Sequence, residues 1–184
     1  MKEALLDHAE KVVQDKGLAA ISFQQLADAV GLSKASVFHH FPNSEALALG
    51  LIERCRSKYG EEYSLIRDTD HTASDKLRQI AASFDNGLRN HRLCLLGALG
   101  SSQTTLSRKL QKELRATAQA AVQTISAIFE QGREERSLSF KGTATDAAQT
   151  FLALLQGLQH LARYSDDVKI FNTSVESYIK TIEC

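Results

Sequence analysis

The sequence predicts an all-α fold on three observations. Apolar residues recur at helical spacing along most of the chain. The 184 residues include one proline and no tryptophan, and they are rich in residues that favour helices. Neither the alternation typical of strands nor a glycine-rich phosphate loop occurs. We therefore expect helices joined by short turns, in a chain long enough to bury a core.

Composition narrows the class of protein. Hydrophobic residues make up 43% and charged residues 24%, which is ordinary for a globular chain. No apolar run approaches the roughly 20 residues of a membrane span. The three cysteines are odd in number and widely spaced, which suits the cytoplasm better than a disulfide scaffold. Because the net charge is zero, any binding of nucleic acid must come from local geometry.

Two short helices are predicted between residues 22 and 41. Ser22 and Gln25 form a capping-box pattern, and the helix that they start ends at Gly31. Ser33 can cap the next helix, which Pro42 ends. This spacing is typical of a helix-turn-helix, whose second helix enters the DNA major groove. An ordinary helical hairpin is the alternative on these positions alone.

Residues 5–47, "LLDHAEKVVQDKGLAAISFQQLADAVGLSKASVFHHFPNSEAL", resemble the DNA-binding domain of TetR-family repressors. The resemblance implies an N-terminal three-helix helix-turn-helix domain over residues 1–50. It also implies a C-terminal helical bundle for effector binding and dimerisation over residues 51–184. The expected function is a homodimeric transcriptional regulator, a repressor that a small-molecule effector or cysteine modification releases from a pseudo-palindromic double-stranded operator. Neither an enzymatic activity nor a cofactor is implied.

The resemblance also assigns DNA-contacting residues. Lys34, Ala35 and Gln24 fall where family members read bases, and an amide suits adenine. Ser36 falls where a hydroxyl touches phosphate or base, and Ser22 would offer its hydroxyl and a helix N-terminus to a phosphate. The complete predicted set is Ser22, Gln24, Ser33, Lys34, Ala35, Ser36, Phe38, His39, His40 and Ser44.

Two of these positions depart from the family pattern. Phe38 replaces a tyrosine whose hydroxyl binds phosphate, and Ser44 replaces a phosphate-binding lysine. Residues 1–55 hold five basic and seven acidic residues, a formal charge of −2. Because phosphate neutralisation supplies most non-specific affinity, we expect weak off-target binding. A helical-bundle binding or adaptor protein that binds DNA weakly or not at all is the alternative function.

The His39–His40 pair is not expected to hold a metal ion. Adjacent helix residues point about 100° apart, so the two rings cannot chelate one ion together. They are therefore assigned to contacts with the DNA backbone, which hold register without reading sequence.

Helices are also predicted near 73–90, 93–102, 106–134, 143–164 and 172–182, after a polar stretch at 67–75. Capping-box pairs are expected at Thr143–Asp146 and Thr173–Glu176. Apolar stripes on the last two helices are assigned by the resemblance to a dimer interface, with packing inside one chain as the alternative. The assigned residues are Phe151, Leu155, Leu158, Ala162, Val175, Tyr178, Ile179 and Ile182.

An effector site is predicted between helices of the C-terminal region. Cys94 follows His91 and Arg92 and is expected in the first turn of a helix, where cations and the helix dipole favour the thiolate. The segment "LCLLGALG" is similar to one in a TetR branch, some members of which sense electrophiles or oxidants through a cysteine. A buried, inert thiol is the alternative. The other residues assigned to a site for a small apolar or electrophilic effector are Phe84, Leu88, Leu99, Val122, Phe129, Phe151, Gln156 and His160.

Overall fold

The protein is helical throughout, as predicted. The computed structural model describes residues 1–184, apart from the side chain of Gln103. The helices are α1 Lys2–Lys16, α2 Phe23–Val30, α3 Lys34–His40, α4 Ser44–Arg54, α5 Gly60–Arg67, α6 Ala73–Arg89, α7 Leu95–Gly100, α8 Arg108–Glu134, α9 Ala144–Tyr164 and α10 Lys169–Ile182. Short 3₁₀ turns span Leu18–Ala20 and Gln103–Thr105, and a π-helical turn at Cys55–Tyr59 joins α4 to α5. No helix in the described residues is both long and apolar enough to cross a membrane.

One predicted helix start is wrong. The last helix begins at Lys169, so Thr173 lies inside it and caps nothing. The error arose because a Thr-x-x-Glu pattern occurs inside helices as well as at their starts, and here the glutamate serves an ion pair instead. The other predicted pair is confirmed, since Thr143 and Asp146 form a reciprocal capping box at the start of α9.

The chain forms two compact units. Unit 1 comprises Met1–Ser57 and Cys94–Ala118, and unit 2 comprises Lys58–Leu93 and Gln119–Cys184. Unit 1 therefore holds α1–α4 together with α7 and the first part of α8. The segment with α7 and α8 is distant in sequence from α1–α4. The functional division at residue 50 stays a prediction.

The core of unit 1 is built around α1 and α4. Leu5 and Ala9 of α1 are fully buried, as is Leu51 of α4. Gly50 sits where a Cβ atom would lie 3.2 Å from both Leu6 Cδ2 and Phe41 Cε1, which is tighter than ordinary packing. A glycine at this position therefore lets α4 pack closely against α1 and the end of α3.

An arginine cluster fixes the C-terminal end of α4 to α1. Arg54 Nε donates to Glu10 Oε2 at 2.7 Å and Nη1 donates to Glu3 Oε2 at 2.8 Å, and the guanidinium also pairs with Asp7. Burial opposes the charge of Arg54, yet the bond to Glu10 and the three carboxylates raise its pKa overall. Arg54 is thereby engaged inside unit 1 by three carboxylates, whose combined negative charge exceeds its own.

The core of unit 2 is formed by α6, α8, α9 and α10. The Phe151 ring has its centroid 6.1 Å from that of Phe129 and 5.9 Å from that of Tyr178. The buried Gln159 amide donates to the Phe84 carbonyl at 2.9 Å, which joins α9 to α6. Helices α9 and α10 thus cover each other's apolar stripes within one chain.

Arg78 ties α6 to the C-terminal end of unit 2. Its Nε and Nη2 atoms donate to the two carboxylate oxygens of Glu176 at 2.9 and 3.1 Å, and Nη1 lies 2.9 Å from Glu183 Oε1. The hydrogen bond from Arg78 lowers the pKa of Glu176. For Glu183, bonds from Arg78 and then Ser74 lower the pKa.

We expect this arginine to make unit 2 sensitive to acid. A carboxylate whose pKa is lowered by folding stabilises the folded state above its unfolded pKa, here about 4.5, and that contribution disappears as pH falls through the folded value. The Arg78→Gln variant should therefore be less stable than wild type at neutral pH, and the difference should shrink below pH 4.5. Urea unfolding followed across this pH range measures the difference. Lys141→Gln, which removes an exposed charge, serves as the control, and a difference that stayed constant with pH would contradict the prediction.

Candidate nucleic-acid interface

A left-handed glycine sets the angle between α2 and α3. Gly31 has φ 67° and ψ 33°, a conformation that costs glycine little, and Leu32 N donates to Ala27 O at 2.9 Å to close the end of α2. Ala27 of α2 and Val37 of α3 are both fully buried, so the two helices meet over small side chains. The predicted helix-turn-helix is confirmed in this geometry.

The N-terminal part of α3 faces solvent. Lys34 and Ala35 are exposed. Ser33 caps the helix, since its Oγ accepts from Ser36 N at 3.1 Å. The two hydroxyls also lie 2.9 Å apart, so Ser36 forms part of the cap as well as part of the surface. The four residues thus present a cation, a methyl group and two hydroxyls on one short turn.

The N-terminal part of α2 adds an amide and a hydroxyl. Gln24 is exposed and its Nε2 donates to Asp28 Oδ1 at 2.8 Å. That bond uses one of the two amide hydrogens, so the second hydrogen and Oε1 can still form a bidentate pair with adenine. Ser22 supplies its half of the predicted capping box, with Oγ accepting from Gln25 N at 3.5 Å.

The aromatic residue Phe38 near the end of α3 contacts an aromatic residue of α2. Phe38 is 44% exposed, and its ring centroid lies 4.9 Å from that of Phe23, which is half-buried. Phe23 fits the apolar spacing of α2, so its position at the edge of the core could not be read from periodicity. The pair forms an apolar patch beside the predicted base-reading residues.

The remaining predicted contacts lie on the same part of unit 1. His39 is exposed and His40 is half-buried, with their rings in an edge-on arrangement at 5.7 Å. In the part of the chain that the structure describes, no group of three or more His, Cys, Asp or Glu is placed to hold a metal ion. Ser44 is exposed at the start of α4, while Asn43 supplies the cap by accepting from Ala46 N at 2.8 Å.

The residues predicted for a dimer interface lie inside their own chain. Phe151, Leu155 and Ile179 are fully buried, and Tyr178 is half-buried. The others, Leu158, Ala162, Val175 and Ile182, are at most 7% exposed. These side chains pack in the core of unit 2, which favours the alternative of packing inside one chain. Their assignment to a dimer interface stays a prediction.

The residues predicted for an effector site are divided between the two units. Cys94 and Leu99 belong to unit 1, and the remaining seven belong to unit 2. Phe84, Leu88, Phe129 and Phe151 are buried, whereas Val122 and Gln156 are half-buried and His160 is exposed. Phe129 and Phe151 contact each other edge to face, so they pack as core residues.

The predicted surroundings of Cys94 require a correction. Cys94 is the residue before α7 and not part of its first turn, and α7 is only six residues long. The dipole of so short a helix is a weaker influence on the thiol than expected. Cys94 is half-buried, whereas Cys55 is buried and Cys184 is exposed.

Two short helices cross at a buried alanine, and an exposed polar turn opens the second helix. This arrangement defines a helix-turn-helix DNA-binding regulator. Residues 5–51 match the family described as "Bacterial regulatory proteins, tetR family". The chain is 24% identical to the HTH-type transcriptional repressor NemR of Escherichia coli over 168 residues, 89% of this chain and 84% of that protein. The N-terminal region of the chain therefore carries the DNA-binding domain of the TetR family of transcriptional regulators.

Solved structures share the complete fold. A TetR-family transcriptional regulator from Agrobacterium tumefaciens superposes with a TM-score of 0.94 at 22% identity, covering 100% of this chain and 97% of that one. The reduced form of E. coli NemR superposes with a TM-score of 0.84 at 23% identity, with the same coverage. The relatives found are regulators and not enzymes.

Proposed function

We propose that this protein is a homodimeric repressor that reads a pseudo-palindromic operator through α3 and is released by an effector or by modification of Cys94. The observation that carries the proposal is the exposure of Ser33, Lys34 and Ala35, beside the half-buried Ser36, on a helix whose opposite face, at Val37, is fully buried. A helix held in this way keeps its orientation while its N-terminal turn faces outward. That is the requirement for reading base edges in the major groove.

Charge supports a specific binding mode for this surface. Lys34 is the one lysine or arginine between residues 22 and 44. Arg54, the next basic residue, is engaged by Glu3, Asp7 and Glu10. With few cations to neutralise phosphates, most of the affinity must come from contacts that depend on sequence.

The outward face of α9 supports assembly into a dimer. Leu161 is 47% exposed and Tyr164 is 78% exposed, although both are large and apolar. A Cβ atom on Gly157 would meet nothing within 4 Å in the chain, so a second helix could approach closely there. These residues replace the buried stripe as the proposed contact surface between subunits. A two-fold pair of chains would also present two recognition helices to the two halves of a palindrome.

Cys94 is the proposed point of thiol modification. Its half-buried position lies between the full burial of Cys55 and the exposure of Cys184, so a reagent could reach it yet leave an adduct inside packed helices. Packed interiors change between discrete arrangements and do not deform smoothly, so an adduct could alter DNA binding. Among the relatives of known structure, E. coli NemR was solved in its reduced form.

The first experiment tests the recognition helix. Lys34→Ala combined with Ser36→Ala should weaken binding at least about tenfold to duplexes selected from a random library by the wild-type chain, because a groove contact and a phosphate contact are both lost. The salt dependence should also become shallower by about one unit of slope per chain. Lys11→Ala, an exposed charge on α1, is the matched control and should keep both values. Equal affinity for the double variant and wild type would overturn the assignment of α3. Failure to select any duplex would favour the adaptor function.

The second experiment tests the dimer surface. Tyr164→Glu should shift the protein toward monomer in sedimentation, because a charge would be placed in an apolar contact at a cost of several kcal/mol. Leu65→Glu is the matched control, since Leu65 is 72% exposed on α5 of the same unit and is not proposed to touch a partner. A Tyr164→Glu protein that stays dimeric would place the interface elsewhere.

The third experiment tests the thiol. In a Cys184→Ser background, which removes the exposed terminal thiol, one equivalent of N-ethylmaleimide should label Cys94 faster than Cys55 and reduce operator affinity. Peptide mass mapping locates the adduct. The Cys94→Ser variant should bind the operator normally and lose the response. A response that persists in that variant would exclude the thiol and leave a non-covalent effector.

A further inference from the structure

A cleft in unit 1 lies beside the helix-turn-helix, and none of the residues predicted for an effector site lines it. Its volume is about 530 Å³, within the range of small-molecule sites. It is bordered by the turn between α1 and α2, the first turns of α4, and the segment that joins α7 to α8. The lining residues are Leu18, Ala19, Ile21, Ser44, Glu45, Leu47, Ala48, Ser102, Thr105, Leu106, Ser107 and Leu110.

The cleft has an apolar floor and a polar rim. Leu47, Ala48, Leu106 and Leu110 are buried and form the floor. The hydroxyl-bearing residues of the rim include Ser44, Thr105 and Ser107, which are exposed. Apolar walls with a few placed polar groups are typical of sites that bind small organic molecules.

The charge of the rim determines which small organic molecules the cleft favours. Of the lining residues that the structure describes, Glu45 is the one that carries a charge. Ser107 Oγ donates to Glu45 Oε1 at 2.6 Å, a bond that orients the carboxylate across the rim. Its second oxygen, Oε2, can accept from a ligand. A carboxylate of this kind attracts a protonated amine and repels an anion.

We propose that this cleft binds a small organic amine, with the ammonium group on Glu45 and the hydrocarbon body on the floor formed by Leu47, Ala48, Leu106 and Leu110. The amine donates hydrogen bonds to the carboxylate and the rim hydroxyls. The hydrocarbon body displaces water from the apolar floor, which supplies most of the affinity.

The cleft touches both ends of the helix-turn-helix. Ile21 directly precedes the cap of α2, and Ser44 follows the end of α3 by a few residues. A ligand that contacts both segments would bias the position of α3, so the amine would act as an effector of DNA binding. This regulatory role rests on the proposed function, whereas binding of the amine does not.

The test uses 4-phenylbutylamine as the probe and 4-phenylbutyrate, which has the same ring and a similar length, as the matched anion. Titration calorimetry on the full chain without DNA should show binding of the amine and little binding of the acid. Amide chemical-shift changes should concentrate at residues 18–21, 44–48 and 102–110. Equal binding of the two probes, no binding of the amine, or shift changes centred elsewhere would each overturn the proposal.

Two variants separate the two parts of the cleft. Glu45→Gln keeps the shape and should weaken amine binding about twofold to fivefold, the size of an exposed ion pair. Ala19→Phe places a ring at the exposed edge of the cleft and should weaken binding at least about tenfold by occupying it, an effect expected from shape alone. Unchanged affinity in both variants would overturn the site.

A second measurement addresses regulation. The amine should reduce the affinity of the wild-type chain for selected duplexes, and Ala19→Phe should respond less. Amine binding without any DNA binding would leave the site intact and refute the repressor. DNA binding that ignores a bound amine would refute the effector role alone.

Discussion

The crossing of α2 and α3 over Ala27 and Val37 is the constraint on which the rest of unit 1 depends. Both side chains are fully buried, and the left-handed conformation of Gly31 directs α3 across α2. Once that crossing is fixed, the N-terminal turn of α3 must face solvent. Phe41, buried at the end of α3, then anchors the helix against α4 and its Gly50. The orientation of Lys34, Ala35 and Ser36 is thus a consequence of packing on the opposite face.

The surface produced in this way is unusual in its charge. The helix-turn-helix contains a single lysine, and the exposed Phe38, where the family pattern has a tyrosine hydroxyl, packs against Phe23. Arg54 pairs with three carboxylates of α1. It therefore contributes more to the stability of unit 1 than to the electrostatic potential at the surface of that unit. Together these features reduce attraction to DNA in general and leave discrimination to a few contacts.

In unit 2 the main constraint is that long apolar stripes on its helices must be covered. Helices α6, α9 and α10 cover one another, with Phe151 between Phe129 and Tyr178 and with Gln159 bonded across to α6. This packing buries the apolar residues that recur at helical spacing. The outward face of α9, with Gly157, Leu161 and Tyr164, stays uncovered within the chain and is the surface that we propose for contact with a second subunit.

The sequence by itself determined the helices and the helix-turn-helix, because these depend on local rules. These rules act within a few residues of each other, so they can be read from the sequence. Examples are the caps at Ser33 and Thr143, the glycine at position 31 and the spacing of apolar residues. The Thr-x-x-Glu pattern occurs both at helix starts and inside helices. It therefore gave a wrong helix start at Thr173, which lies inside α10. Tertiary structure alone decided which apolar stripes lie in the core, that Phe23 packs against Phe38, and that Ser107 bonds to Glu45. Those contacts join residues on different helices, and the contacts of a side chain across the fold are set by packing that no local spacing encodes.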